Sequence, residues 1–324
     1  MMTVFLMIVA IIILIILILL FGPKERVSKN LSFDPATLPE DLDAYLADSE
    51  AKYEDMREDT HKRIIWAGEK GAQTEFAIVF VHGFSASVGE IRPVPDRVAE
   101  GMGANLFFTR MSGHGRSFAA MAEPRPDDWL LDFAEAMAIG RRIGRKVIVI
   151  CVSNGAAITT RGMLFPDMVK DLAALILVAP NFELVNKMSL LPRLTGARYW
   201  GKFLVGKEVG FEPLNEGHAK YWTYRYPPAA FVPMMRIMAE NDRTDLSQFK
   251  TPALFMFSPG DKVVNSERTE KVAKAWGANA SVVRITPGPE DDPDQHVVVG
   301  DVCSPSQTEP AIKAILKWLR SLDL

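Results

Sequence analysis

From residue 76 to the carboxyl terminus, short unbroken apolar runs alternate with amphipathic stretches. FAIVFVHG (76–83), NLFFTRMSG (105–113), KVIVICVS (146–153), ALILVAP (174–180), ALFMFSPGD (253–261) and SVVRITPG (281–288) are rich in Val, Ile, Leu and Phe. Gly or Pro lies within two residues of an end of each of them. Apolar runs this short, punctuated in this way, predict strands buried on both faces. Between them, helical spacing is predicted at 88–102, 127–143, 154–165, 266–276 and 307–322. Strand–helix alternation predicts an α/β fold with a mostly parallel sheet and helices on both faces. In such sheets ligands bind beyond the carboxyl ends of the strands, so the residues just after each strand are where chemistry is expected.

Three intervals depart from this rhythm. VFLMIVAIIILIILILLF (4–21) contains no charged or polar side chain. As a helix it is roughly 27 Å long, and Met1 to Thr3 extend it, enough to cross a bilayer core of about 30 Å. A cleaved signal peptide is the rival reading. The apolar run exceeds the usual h-region, no basic stretch precedes it, and FGPKER offers no A-x-A site. An uncleaved single-pass anchor over 1–22 is therefore expected. Lys24, Arg26 and Lys29 follow the span, which leans the soluble part toward the cytoplasmic side by the positive-inside rule. Residues 23–62, with Pro23, Pro35, Pro39 and the charged run LDAYLADSEAKYEDMRED, read as a stalk followed by a surface helix with mostly solvated charges. Residues 181–250 hold no strong strand but many aromatics and methionines (RYWGKF, KYWTYRY, FVPMMRIMAE). So long a structureless loop does not suit a compact domain. A helical cap over the strand ends is expected, inserted into a core formed by 63–180 and 251–324.

Composition narrows the chemistry. The 324 residues carry a formal net charge of −3. The absence of a basic stripe or arginine-rich tail sets nucleic-acid binding aside. The two cysteines, Cys151 and Cys303, form neither a disulfide framework nor a zinc cluster by themselves and read as small buried hydrophobes. No cofactor and no metal are expected.

VICVSNG places Ser153 at a predicted strand-to-helix junction. A serine hydroxyl that attacks must stand exposed on a sharp turn, with small neighbours so that strand and helix approach closely. Gly155 and Ala156 meet that need on the helix side, whereas Cys151 stands where a G-x-S-x-G turn has its first glycine. The serine needs a base. Of the five histidines, His61 precedes the first strong strand, His218 falls in the cap, and His82 and His114 lie early at strand ends. His296, in EDDPDQHVVVGD, follows the last strand in a Pro/Asp-rich loop. Asp261 ends LFMFSPGD and is placed to orient the imidazole. Asp291, Asp292 and Asp294 compete for that role but share the histidine's own loop. The backbone N–H groups of Phe84, after VHG, and of Asn154, just past the serine, are the expected oxyanion donors.

Together, VHGF (81–84), SGHGRS (112–117), CVSNGA (151–156), SPGDKVV (258–264) and DQHVVVGD (294–301) resemble the α/β-hydrolase superfamily, over roughly residues 63–322. The order Ser153, Asp261, His296 is that superfamily's order. Within it the chain is similar to carboxylesterase and monoacylglycerol-lipase-like members. The resemblance implies a cofactor-free serine hydrolase of carboxylic esters, with a small-molecule or lipid ester as substrate and the membrane as partner through the N-terminal helix. It also implies a structural role for the GHGRS turn. Dehalogenase and epoxide-hydrolase chemistry uses an aspartate where Ser153 stands. Thioesterase, peptidase and C–C hydrolase chemistry on the same triad remain open, as does a non-catalytic binding protein on this fold.

Overall fold

The computed structural model describes residues 2–324. The apolar run forms one helix, α1 (Met2–Phe21), with no buried residue. It is long and apolar enough to cross a membrane. The next helix, α2 (Leu42–Glu50), starts at Asp41, whose carboxylate accepts the Ala44 amide. Here the structure departs from a stalk bearing a solvated helix. Leu38, Leu42 and Leu46 are buried in the main core, and Glu50 forms a buried ion pair with Arg110. Three leucines spaced four apart make an inward stripe that the charged neighbours conceal in the sequence.

In chain order the strands are β1 (Arg63–Ile65), β2 (Thr74–Val81), β3 (Asn105–Phe108), β4 (Gly144–Val152), β5 (Leu172–Val178), the two-residue β6 (Val209–Gly210) and β7 (Arg225–Tyr226), β8 (Ala253–Phe257) and β9 (Ala280–Arg284). The remaining helices are α3 (Val94–Met102), α4 (Pro126–Ile143), α5 (Asn154–Gly162), α6 (Pro166–Val169), α7 (Ala197–Val205), α8 (Glu216–Tyr221), α9 (Phe231–Asn241), α10 (Ser266–Ala275) and α11 (Thr308–Arg320). Seven strands form one sheet in the order β1-β3-β2-β4-β5-β8-β9. All pairs are parallel except β1 with β3. All six expected strands are in this sheet. β1 was not expected, because three residues give no readable periodicity. The helix expected at 88–102 begins only at Val94, since Pro93 and Pro95 confine it to a start where missing N–H groups cost nothing.

Strand alternation divides the core into two layers. Val147, Val149 and Cys151 of β4 pack with α4 and α5, while Ile148, Ile150 and Val152 pack with α3 and α11. Residues 181–250 divide in the same physical way. A parallel step from β5 to its neighbour β8 requires a crossover, and α9 supplies it. Met234, Met235, Ile237 and Met238 of α9 join the α4–α5 layer. What overlies the strand ends is the part before α9: a 3-10 turn (Lys187–Arg193), α7, and the antiparallel pair β6 and β7 with α8 in the connection between them.

Candidate active site

Ser153 occupies the turn between β4 and α5 at φ 47° and ψ −113°, a conformation that a residue with a Cβ rarely adopts. Such strain costs about 1–3 kcal/mol and persists only where the surroundings impose it. Here the Ser153 amide donates to the Val178 carbonyl at 2.9 Å, and the Ser153 carbonyl accepts the Asn181 amide at 3.0 Å. Gly155 makes the close approach possible. A Cβ there would run into the Val81 carbonyl and stand 2.6 Å from the His82 oxygen. Cys151 makes no comparable intrusion. Its side chain points into the α4–α5 layer, where the thiol donates to the Ile176 carbonyl at 3.4 Å. Burial raises its pKa far above the ordinary thiol value.

The structure brings Ser153, His296 and Asp261 together from three strand ends. His296 Nε2 lies 3.0 Å from Ser153 Oγ, and Nδ1 lies 2.8 Å from Asp261 Oδ2. Asp261 Oδ1 accepts the Val263 and Val264 amides at 2.8 and 2.9 Å, which fixes the carboxylate. Asp292 does not reach the ring. It accepts the Asp294, His296 and Val297 amides at 3.0, 2.9 and 2.8 Å and so shapes the loop that carries His296. Asp291 is engaged with the Gly288 and Ser306 amides, and Asp294 faces solvent beside Lys262. Burial pulls the His296 pKa down, but the Asp261 charge and hydrogen bond outweigh it, so the net direction is upward. This arrangement can take the Ser153 proton onto Nε2 while Asp261 stabilises the imidazolium.

Asn154 follows the serine and Phe84 lines the same cavity, and among the described residues neither amide donates to a protein acceptor. The loop carrying Phe84 is held from behind by a residue that has no motif to announce it. Glu90, fully buried, accepts the Gly83 amide on Oε2 at 2.7 Å. Burial raises its pKa to about 8, with the Gly83 N–H and the His296 charge opposing. A Cβ on Gly83 would stand 2.6 Å from Glu90 Oε1 and 3.2 Å from the Ser153 Cβ, so glycine is required between them.

Of the other histidines, only His218 also lines the cavity above Ser153, and none reaches the Ser153 hydroxyl. His82 Nε2 accepts the Met111 amide at 3.0 Å, so the proton sits on Nδ1 and is donated to the Gly83 carbonyl at 2.9 Å. Burial lowers its pKa to about 4. His114 is buried against Phe84 and Trp129 in the GHGRS turn, where Gly113 and Gly115 have φ of 80° and 65°. His218 stacks on Phe211 and meets Trp222 edge-on, and His61 is exposed. Among the described residues no group of three His, Cys, Asp or Glu is arranged to hold a metal ion.

Above the serine lies a cavity of about 590 Å³. Ser153 and His296 line its floor, and Phe84, Phe231, Leu191 and Trp200 are among its largely apolar walls. Three acids line it. Asp292 is engaged by its three amides, while Glu212 and Asp294 are exposed.

Residues 72–289 match the family described as serine aminopeptidase, S33, a span that contains Ser153 and Asp261 and stops short of His296. No curated protein sequence shows a significant match. Solved structures resemble the chain at low identity. One, from work on the metagenome-derived lipolytic enzymes LipS and LipT, is 19% identical with a TM-score of 0.66, covering 82% of this chain and 100% of its own. A soluble variant of monoglyceride lipase from Saccharomyces cerevisiae, bound to a substrate analog, is 12% identical with a TM-score of 0.59, covering 80% and 90%. The monoacylglycerol lipase of Paleococcus ferrophilus is 14% identical with a TM-score of 0.57, covering 81% and 98%. At these identities the likeness is one of fold. Because the family match spans most of the chain and includes the turn that strains Ser153, the chain belongs to the serine aminopeptidase S33 family and is an α/β-hydrolase.

Proposed function

We propose that the protein is a membrane-anchored serine hydrolase that cleaves carboxylic esters through an acyl-enzyme on Ser153. The observation that carries this reading is the chain of hydrogen bonds Ser153–His296–Asp261 at the floor of an apolar cavity. His296 Nε2 takes the hydroxyl proton as Ser153 Oγ bonds to the ester carbonyl carbon. The oxyanion is received by the Phe84 and Asn154 amides. Collapse breaks the bond to the alcohol, which leaves with the proton held on His296. Water then gives its proton to His296 and attacks the acyl carbon, and the acid departs as Ser153 recovers its proton.

The lining favours an acyl chain over the charged terminus of a peptide. Recognition of an α-amine calls for a desolvated carboxylate, and the cavity's acids are either engaged or exposed. Thioester and C–C substrates would use the same three residues and are distinguished by assay. The α1 helix is read as the anchor, with Lys24, Arg26 and Lys29 on the cytoplasmic side.

A fluorophosphonate probe tests the nucleophile in the detergent-solubilised full chain. The parent is expected to label and Ser153→Ala is not. Labelling that survives Ser153→Ala moves the nucleophile elsewhere, and an unlabelled parent overturns the enzyme reading. A p-nitrophenyl ester series of increasing acyl length then reads chain preference, against matched thioesters and amides.

A further inference from the structure

The end of α1 is tied to the wall of the cavity. The Thr195 amide donates to the Leu19 carbonyl at 2.9 Å, and the Thr195 carbonyl accepts Trp200 Nε1 at 2.7 Å. Trp200 lines the cavity. Just beyond the helix, Glu25 accepts Arg198 Nε at 2.5 Å, and its carbonyl accepts Arg236 Nε at 2.9 Å. Leu19 is two residues from the end of α1, about 3 Å along the helix axis. The segment containing Thr195 is thereby held level with the end of the apolar span.

Thr195 sits between the 3-10 turn Lys187–Arg193 and α7, and these two elements carry an unpartnered apolar face. Tyr199 and Phe203, four residues apart and so on one side of α7, are 68% and 79% exposed. Met188, Leu190, Leu204 and Val205 extend the face and are each about half or more exposed. Three of these, Met188, Leu204 and Val205, also line the cavity. The apolar face is therefore the rim of the cavity mouth. Contiguous exposed apolar surface of this kind marks a protein or membrane contact. Lys202, exposed and lying 5.2 Å from the Phe203 ring, has the long stem that lets an ammonium reach headgroup level beside a buried aromatic.

We propose that this face seats in the same bilayer that α1 enters, so that the cavity opens onto lipid. An amphipathic ester then passes from the membrane to Ser153 without crossing bulk water. The proposal rests on α1 spanning the membrane and on Ser153 acting on esters. Continuity chooses the bilayer over a second copy of the chain. The hydrogen bond from Thr195 to Leu19 places the face at the depth where α1 ends, whatever else the protein meets.

The experiment uses the full chain in single-copy nanodiscs of phosphatidylcholine and phosphatidylglycerol. A nitrobenzoxadiazole label goes on Phe203→Cys, the native Cys151 and Cys303 being buried. A control label goes on Arg145→Cys, exposed at the start of β4 and so at the sheet end away from the cap. The label at 203 is expected to emit to the blue and to be quenched by nitroxide-bearing lipid, and the label at 145 to do neither. A water-like, unquenched label at 203 overturns the docking. In the activity arm, the double variant Tyr199→Asp, Phe203→Asp is expected to lose about tenfold or more on a long-chain monoacylglycerol held in the disc. Its hydrolysis of water-soluble p-nitrophenyl butyrate is expected to match the parent's, because neither residue lines the cavity. Equal effects on both esters overturn lipid-side entry. A quenched label in a protein that hydrolyses neither ester would uphold the docking and overturn the ester reading alone.

Discussion

Glu90 Oε2 accepts the Gly83 amide at 2.7 Å, directly behind the loop whose Phe84 amide is the proposed oxyanion donor. Desolvation favours the protonated carboxyl, whose pKa rises from 4.5 to about 8. Its contribution to stability is full below the unfolded-state value and is lost as pH rises toward 8, because only the unfolded chain ionises freely across that interval. Glu90→Gln keeps an oxygen for the Gly83 amide and removes the titration. The melting temperature of the variant relative to the parent is expected to improve from pH 5 to about pH 8 and to level off above it. A difference independent of pH would show that Glu90 does not titrate in this window.

The upward shift of His296 sets the acid limb of activity. Only the neutral imidazole can accept the serine proton, so kcat/KM is expected to rise with pH, with a midpoint above the ordinary histidine value of 6.5. In Asp261→Asn the imidazolium loses its partner. The midpoint moves down and kcat falls by about ten-thousand-fold. A pH–rate profile of parent and variant with the preferred p-nitrophenyl ester reads both.

At the elbow, two neighbours of Ser153 are expected to differ sharply. Gly155→Ala forces a Cβ against the Val81 and His82 carbonyls, which lie in backbone that cannot yield cheaply. Loss of fluorophosphonate labelling, or failure to fold, is the expected result. Cys151→Ala is expected to retain labelling and kcat/KM, because that side chain faces the core rather than the turn. For the same reason maleimide should leave the folded parent active.

The ion pair between Glu50 and Arg110 is 3% exposed on both sides. Arg110 also donates to the His114 carbonyl at 3.0 Å and so braces the GHGRS turn. Glu50→Ala strands a buried guanidinium and is expected to cost about 3–5 kcal/mol. Thermal or urea unfolding measures the loss. A shift near zero would mean that water reaches Arg110 in the variant.

The parallel sheet was legible because β2, β4, β5 and β8 are buried on both faces and therefore read as solid apolar runs. Ser153 and Asp261 were legible because they follow such runs directly or closely, and His296 because it lies in the loop after the last strand, in an order that resembles the α/β-hydrolases. The role of α9 was hidden. Its methionines suit a cap or a core equally, and only the parallel step from β5 to β8 requires a helix there. The inward stripe of Leu38, Leu42 and Leu46 was hidden by the acids around it.

By itself the sequence determined the features that local pattern encodes: alternating strands and helices, an apolar N-terminal span, and one serine, one acid and one histidine in segments that follow strands. The tertiary structure decided the features that depend on distance between remote segments. It chose Asp261 over Asp292, because three loop amides occupy Asp292 while Asp261 Oδ2 reaches the ring at 2.8 Å. It placed Glu90 behind the loop of Gly83 and Phe84, where burial rather than any spacing gives a carboxyl its altered pKa. It also turned the Cys151 side chain into the α4–α5 layer and away from the turn. The turn is set by the contact of Gly155 with the Val81 and His82 carbonyls, a relation between two segments far apart in the chain that no local pattern records.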